Sequence, residues 1–208
     1  PKKEVVTYKD EMNRTVTIVK NPSRIISLAP NITEILYSLE LKQKIIGITQ
    51  ECDYPSETHL QARIGHMAKV DIERIVSLKP DLIIGTVDGN SKIQIEQLEK
   101  LKLPVYIIFP KKLLDISKTI LNIGKITGSS QLAAVLSRQF NNKITSLKLK
   151  VASKIKPTVF VQINEDPMIS ISRGTFLDDL IVLAGGINIM KDSKIRYTHI
   201  SMETLIKK

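Results

Sequence analysis

One stretch limits what the rest of the chain can be. Residues 129–154 (SSQLAAVLSRQFNNKITSLKLKVASK) hold no Pro or Gly and open on two serines suited to cap a helix. Leu132, Val135, Leu136, Phe140, Ile144, Leu147 and Val151 recur at spacings of three and four, which puts them in one stripe along a helix. Lys, Asn, Gln and Arg fill the opposite side. At 1.5 Å per residue, about 24 helical residues extend ~36 Å, enough to cross one small domain and reach a second. A long core helix within one domain is the commoner use of such an element. Here the pattern of strands and helices before the helix starts again after it, which predicts a strut between two lobes.

The 208 residues, 42% of them hydrophobic, can bury a substantial core and fit one large domain or two small ones. No apolar run approaches the ~18 residues of a membrane span, and no charged-then-apolar leader opens the chain, as in a mature or trimmed form. The single Cys52 excludes an internal disulfide and any multi-cysteine metal site. The net charge of +10 admits nucleic acid, an anionic membrane or an anionic ligand as partner. The lysines are scattered, however, without a basic run or an interleaved aromatic platform, so a solvated surface is the expectation and nucleic acid is not.

In chain order, residues 5–19 read as a hairpin turning at 10–13. The apolar run 24–29 suits a buried parallel strand; Pro30 ends it, and Asn31 with Glu34 makes a capping-box-like start for a helix through Leu39. A strand over 44–49 runs into the irregular 50–55. Asp71 caps a helix with Ile72, Ile75, Val76 and Leu78 inward and Glu73 and Arg74 outward, followed by Pro80 and a strand over 81–85. A helix over 91–101, a strand over 105–109 and a helix over 113–127 complete a first lobe, expected to be a mostly parallel sheet covered on both faces. After the strut come a strand over 158–162, a helix over 175–184 closed by Gly185 and Gly186, and a short run over 187–190. The tail 201–208 repeats the 71–79 pattern of polar cap, outward Glu and inward Leu and Ile. No strand follows it, so the second lobe reads as cut short. The predicted organisation is a lobe over 1–128, a linking helix over 129–154 and an incomplete lobe over 155–208.

Four phrases in this order resemble the substrate-binding proteins of ABC importers for ferric siderophores, haem and cobalamin: 24–36 (RIISLAPNITEIL), 52–55 (CDYP), 72–84 (IERIVSLKPDLII) and 184–189 (AGGINI). The likeness runs through essentially the whole chain. It implies an α/β fold of two Rossmann-like lobes, each with a mostly parallel sheet, joined by one rigid helix. It further implies an extracytoplasmic monomer that binds ligand in the cleft between the lobes, touches the membrane only through its permease or a lipid anchor, and carries no cofactor of its own. Glu73 and Glu203 are implied as the acidic residues that dock onto permease arginines; a glutamate in a first helical turn also complements the helix dipole without any partner. Pro30, Asn31, Glu51, His66, Met67, Thr86, Arg173, Arg196, Tyr197 and His199 are implied as ligand-binding.

Three ligands compete. Cobalamin binders of the family cage their ligand with aromatic residues, whereas the corresponding places here hold Met67, Thr86 and Tyr197, with Glu51 in place of a tyrosine. That departure argues against cobalamin and leaves a related corrinoid open. Haem binders ligate iron through Met, His or Tyr, and Met67 and His66 in the first lobe, with Tyr197 and His199 in the second, supply such donors. Ferric siderophore binders hold an anionic chelate with forked guanidinium groups, here Arg173 and Arg196, and the positive balance favours an anionic guest. The expectation is an iron complex, siderophore before haem. Outside this class, a divalent-metal receptor would draw on His59, His66 and His199 with Glu51 or Asp53, a set without a recognised metal spacing. An α/β enzyme lacks support: the chain has no phosphate loop, dinucleotide fingerprint, nucleophile elbow or His-Glu-x-x-His.

Overall fold

Short runs rich in Ile and Val become strands, and the amphipathic segments between them become helices, in a computed structural model that describes residues 4–207. Residues 1–3 and Lys208, which belong to the expected terminal lobes, lie outside the described residues. The elements are β1 (Val5–Lys9), β2 (Thr15–Val19), β3 (Ile25–Ser27), α1 (Pro30–Ser38), β4 (Ile45–Ile48), β5 (Gly65–His66), β6 (Lys69–Val70), α2 (Ile72–Ser77), β7 (Leu82–Thr86), α3 (Lys92–Lys100), β8 (Val105–Ile108), α4 (Asp115–Thr127) and α5 (Ser130–Val151). These are followed by β9 (Thr158–Val159), β10 (Gln162–Asn164), β11 (Ile169–Ile171), α6 (Phe176–Leu183), β12 (Ile187–Asn188), β13 (Tyr197–His199) and α7 (Met202–Ile206).

The described residues divide into two compact units. The first holds the residues up to Phe109 together with Lys118–Ser137; the second holds Pro110–Ser117 and the residues from Arg138 onward. The division falls inside α5.

In the first unit β4, β3, β7 and β8 pair side by side, all parallel. Their runs are apolar at almost every position because both faces are covered. On one face Ile26, Ile83, Val105 and Ile107 pack with Ile75 of α2 and Ile95 and Leu98 of α3. On the other, Thr33 of α1 donates from Oγ1 to Ser27 Oγ at 2.8 Å, and the Tyr106 hydroxyl donates to the Lys9 carbonyl of the β1–β2 hairpin at 3.4 Å. Burial, aided by the nearby Glu11 and Asp10 carboxylates, pushes the Tyr106 hydroxyl well above its usual pKa and keeps it a donor.

Several local expectations need correction. Pro30 opens α1, with Ala29 as the cap: its fixed φ and missing N–H suit the first helical position. Asn31 therefore sits inside the helix, where its Oδ1 accepts from the Ile32 N–H at 3.0 Å, and the expected capping box is not formed. Val76 is 42% exposed on α2, leaving Ile75 as the buried anchor. On α5 the buried positions are Ala133, Ser137 and Ile144, while Val135 and Leu147 of the predicted stripe are about half exposed, at 47% and 46%. Small residues face inward near the start of α5 because α4 comes close: a Cβ added at Gly124 would collide with that of Ala133.

The second unit is less parallel than expected. Residues 158–162 do not form one strand; β9 pairs parallel with β12, while β10, β11 and β13 form an antiparallel sheet. Thr175 caps α6 by accepting from the Asp178 N–H at 3.2 Å, and Gly185 ends it at φ +82°, a left-handed value that glycine adopts freely. Asn188 ties this unit together from a buried position. Its Nδ2 donates to the Ile171 carbonyl at 3.1 Å and to Asp178 Oδ1 at 2.9 Å, and its Oδ1 accepts from the Met190 N–H at 2.9 Å. α7 is capped by Ser201, which accepts from the Thr204 N–H at 3.2 Å, as Asp71 caps α2 through the Arg74 N–H at 2.9 Å. The expected inward Ile206 is instead 79% exposed.

Candidate functional site

Parallel strands lined up in one direction deliver their following loops to one edge of the sheet, the edge where open α/β sheets take ligands. In the first unit β3 runs into Leu28, Ala29 and Pro30; β4 runs into Thr49, Gln50 and Glu51; β7 ends at Thr86 and runs into Val87 through Asn90. The β5–β6 turn adds His66 and Met67.

Four of the predicted ligand residues meet here. Glu51 Oε1 lies 3.1 Å from His66 Nδ1, and Glu51 Oε2 accepts from the Met67 N–H at 3.0 Å. Asn90 joins Met67 to Thr86: its Nδ2 donates to the Met67 carbonyl at 2.8 Å and to the Leu28 carbonyl at 2.9 Å, while its Oδ1 accepts from the Thr86 N–H at 2.8 Å. His66 is exposed and Met67 half-buried, so both are accessible. Thr86 is only 5% exposed and belongs to the support beneath them. Pro30 is half-buried and Asn31 exposed at the start of α1.

The electrostatics of the cluster centre on Glu51. Partial burial, the largest single influence, raises its pKa, yet hydrogen bonds from its own backbone, His66, the Met67 N–H and Thr49 together outweigh it and hold the carboxyl below the usual glutamate range. The carboxylate is thus a negative charge beside the His66 imidazole and the Met67 backbone N–H. Under it, Ser27, Thr33, Thr49 and Cys52 form a buried polar layer, with Thr33 Oγ1 3.2 Å and Thr49 Oγ1 3.4 Å from Cys52 Sγ. Arg63 fastens the loop after β4 by donating from Nη1 to the carbonyls of Thr49 and Cys52 at 2.9 and 2.7 Å.

Arg63, Gly89 and Asn90 were not singled out by the sequence. Gly-Asn before a helix signals a turn, but nothing in the string marks Asn90 as the tie among three loops, and a lone Arg reads as surface charge.

In the second unit, the β11–β13 register pairs Ile171 with Tyr197 and Ile169 with His199. Tyr197 and His199 are two apart on β13, so they share one face of that sheet, and both are exposed. Arg196 donates from Nη2 to the Gly174 carbonyl at 2.5 Å, which commits part of its guanidinium to the turn before α6. Arg173 lines a 260 Å³ pocket with Lys156, Asp178, Asn188 and Lys191. Glu73 and Glu203 occupy the same place, the second residue, of α2 and α7; both are exposed, and Glu203 pairs with Lys207 at 2.5 Å.

The divalent-metal set is not assembled. Among the described residues no three His, Cys, Asp or Glu side chains come together in a way that could hold a metal ion, and His59 turns its Nδ1 to the Ser56 carbonyl at 2.5 Å. A larger groove of about 590 Å³ lies at the opposite, amino end of β7 and β8, between the β1–β2 hairpin, Pro80, Glu99 and Lys102. The Arg14–Glu99 ion pair neutralises part of its wall, and none of the predicted ligand residues lines it.

Known proteins share this fold. The chain is 31% identical over 185 residues to the vitamin B12-binding protein of Vibrio cholerae serotype O1, an alignment covering 89% of this chain and 67% of that protein. The crystal structure of the periplasmic vitamin B12-binding protein BtuF of Vibrio cholerae superposes with a TM-score of 0.80 at 30% identity, covering 90% of this chain and 73% of that one. The periplasmic haem-binding protein RhuT from Roseiflexus sp. RS-1 also gives a TM-score of 0.80, at 27% identity over 89% of this chain and 73% of its own. The match to the family description, periplasmic binding protein, covers residues 25–208. This chain is therefore a member of the periplasmic binding protein family, a solute receptor and not an enzyme.

Proposed function

We propose that this receptor captures a metal tetrapyrrole, haem or a corrinoid, outside the cytoplasm and delivers it to the permease of an ABC importer. The observation that carries the reading is the cluster at the carboxyl edge of the first sheet, where Glu51, His66 and Met67 are held together by bonds of 3.0 and 3.1 Å. An imidazole and a thioether suit the iron or cobalt of a tetrapyrrole, as sulfur and nitrogen donors of moderate softness. In the second unit the proposed contacts are Tyr197 and His199, exposed together on one face of β13. The relatives named for vitamin B12 and haem support the tetrapyrrole class ahead of a ferric siderophore. The partial commitment of Arg196 to the Gly174 carbonyl points the same way, since it leaves less guanidinium for an anionic chelate. Glu73 and Glu203 are the proposed permease-docking pair, matched in helical position and in exposure.

Thermal unfolding with added cyanocobalamin, hemin or a ferric hydroxamate separates the candidates, because a ligand that binds only the native state stabilises it by ~2.7 kcal/mol at 100 times its Kd. The reading expects a rise in Tm with cyanocobalamin or hemin. A rise with the hydroxamate alone, or with none of the three, would sink it.

A further inference from the structure

We propose that Asn90 and Gly89 are positioning residues whose role is to present Met67 to the solute in a single conformation. The inference rests on the tetrapyrrole reading above and goes further, because it assigns Met67 as the anchor of the first unit's face and names what holds it.

Methionine is ordinarily the adaptable side chain of a protein, unbranched and with three rotatable bonds. Here two bonds fix the backbone from which the side chain springs, and one contact fixes where the side chain lies. Its N–H donates to Glu51 Oε2, its carbonyl accepts from Asn90 Nδ2, and its side chain lies across Gly89. A Cβ at Gly89 would collide with the Met67 methyl, and Gly89 sits at φ +109°, a left-handed backbone that only glycine adopts without strain. Asn90 is not a private partner of that turn. Its other two bonds go to the Leu28 carbonyl after β3 and the Thr86 N–H at the end of β7, so the Met67 turn is referenced to two central strands of the sheet. A staple needed only to close the β7–α3 turn would require the Thr86 bond alone. The bond to Met67 adds a fixed soft side chain, half-buried and so within reach of a ligand, at an edge where fixing a contact beforehand lowers the entropy lost on binding.

The test combines binding with an order readout on the full chain. Methyl-¹³C methionine labelling gives five signals, one per methionine, and Met67→Ala identifies the one from Met67. Asn90→Asp keeps the acceptor for the Thr86 N–H but cannot donate to the Leu28 and Met67 carbonyls. Gly89→Ala keeps the Asn90 amide, strains the turn that holds it and adds a Cβ that displaces the Met67 side chain. Both variants should move the Met67 methyl toward the position of a free, averaged side chain, and both, with Met67→Ala, should weaken cyanocobalamin or hemin binding on the order of tenfold. The wild-type Met67 methyl should shift on addition of the probe that binds. The proposal is overturned if the methyl keeps its wild-type position in both variants, or if it is released while affinity stays within twofold of wild type. If wild type binds and Met67→Ala binds equally well, this proposal alone falls; if wild type binds neither probe, the functional reading falls and takes it along.

Discussion

Glu51 carries two jobs on one carboxylate, accepting from the Met67 N–H and meeting His66. Its folded pKa lies below the ordinary glutamate value, so its contribution is present above that value and is lost as pH falls through the lowered one. The stability this carboxylate lends should therefore hold from pH 7 until below the usual glutamate value of ~4.3, and Glu51→Gln should lower stability at pH 7 while flattening this acid limb. Urea unfolding across pH on both proteins checks this; an unchanged acid limb in the variant would contradict it. Asn188 is the corresponding tie in the second unit. Its truncation to Ala would leave the buried Asp178 carboxylate without its amide donor, and such orphaned groups cost ~1–3 kcal/mol. Urea unfolding should show a loss of that size in the second unit's transition. At this scale the sequence spoke unevenly. Glu51 and Met67 could be named because they stand where cobalamin binders of the family carry aromatic residues, and His66 because an imidazole is a candidate iron donor. Arg63 and Asn90 could not, because a hydrogen bond to a distant carbonyl leaves no periodic trace.

At the scale of elements, apolar patterning carried most of the information. The four strands of the parallel sheet are short runs buried on both faces, and each was legible within a residue or two. So was α5, because Pro and Gly are missing from it. What periodicity could not supply was which face of α5 packs: the large residues Val135 and Leu147 are half exposed, whereas Ala133 and Ser137 are buried. Close helix packing selects for small side chains, and a hydrophobicity pattern discounts them. Pro30 carries a related ambiguity, since the same fixed φ that stops a strand also starts a helix. Patterning does not reveal the second unit's antiparallel sheet because β10, β11 and β13 are three residues each, too short for alternation to register, and β10 and β13 are mostly polar and exposed. The α4–α5 contact gives a prediction opposite in sign to helix propensity. Gly124→Ala, which on a free helix would gain ~1 kcal/mol, should instead cost about 1 kcal/mol through overpacking against Ala133, and adding Ala133→Gly should recover part of it. Chemical denaturation of the single and double variants decides between the two signs.

For the whole molecule, the +10 charge is spread over a lysine-rich surface, and among the described residues no helix is long and apolar enough to cross a membrane. Glu73 and Glu203 are the proposed contacts with the permease. Reversing both to Lys should abolish uptake through the cognate permease and leave solute affinity unchanged; uptake at the wild-type rate would remove the docking role. The central claim concerns where the solute is met. Backbone amide shifts of the labelled chain, recorded with and without cyanocobalamin and with zinc protoporphyrin standing in for haem, test it most directly. The account predicts that the largest changes fall on Glu51, His66, Met67 and the Val87–Asn90 segment at the carboxyl edge of the first sheet. Changes confined to Arg14, Glu99, Lys102 and the rest of the groove at the amino edge, or no changes with either compound, would contradict it.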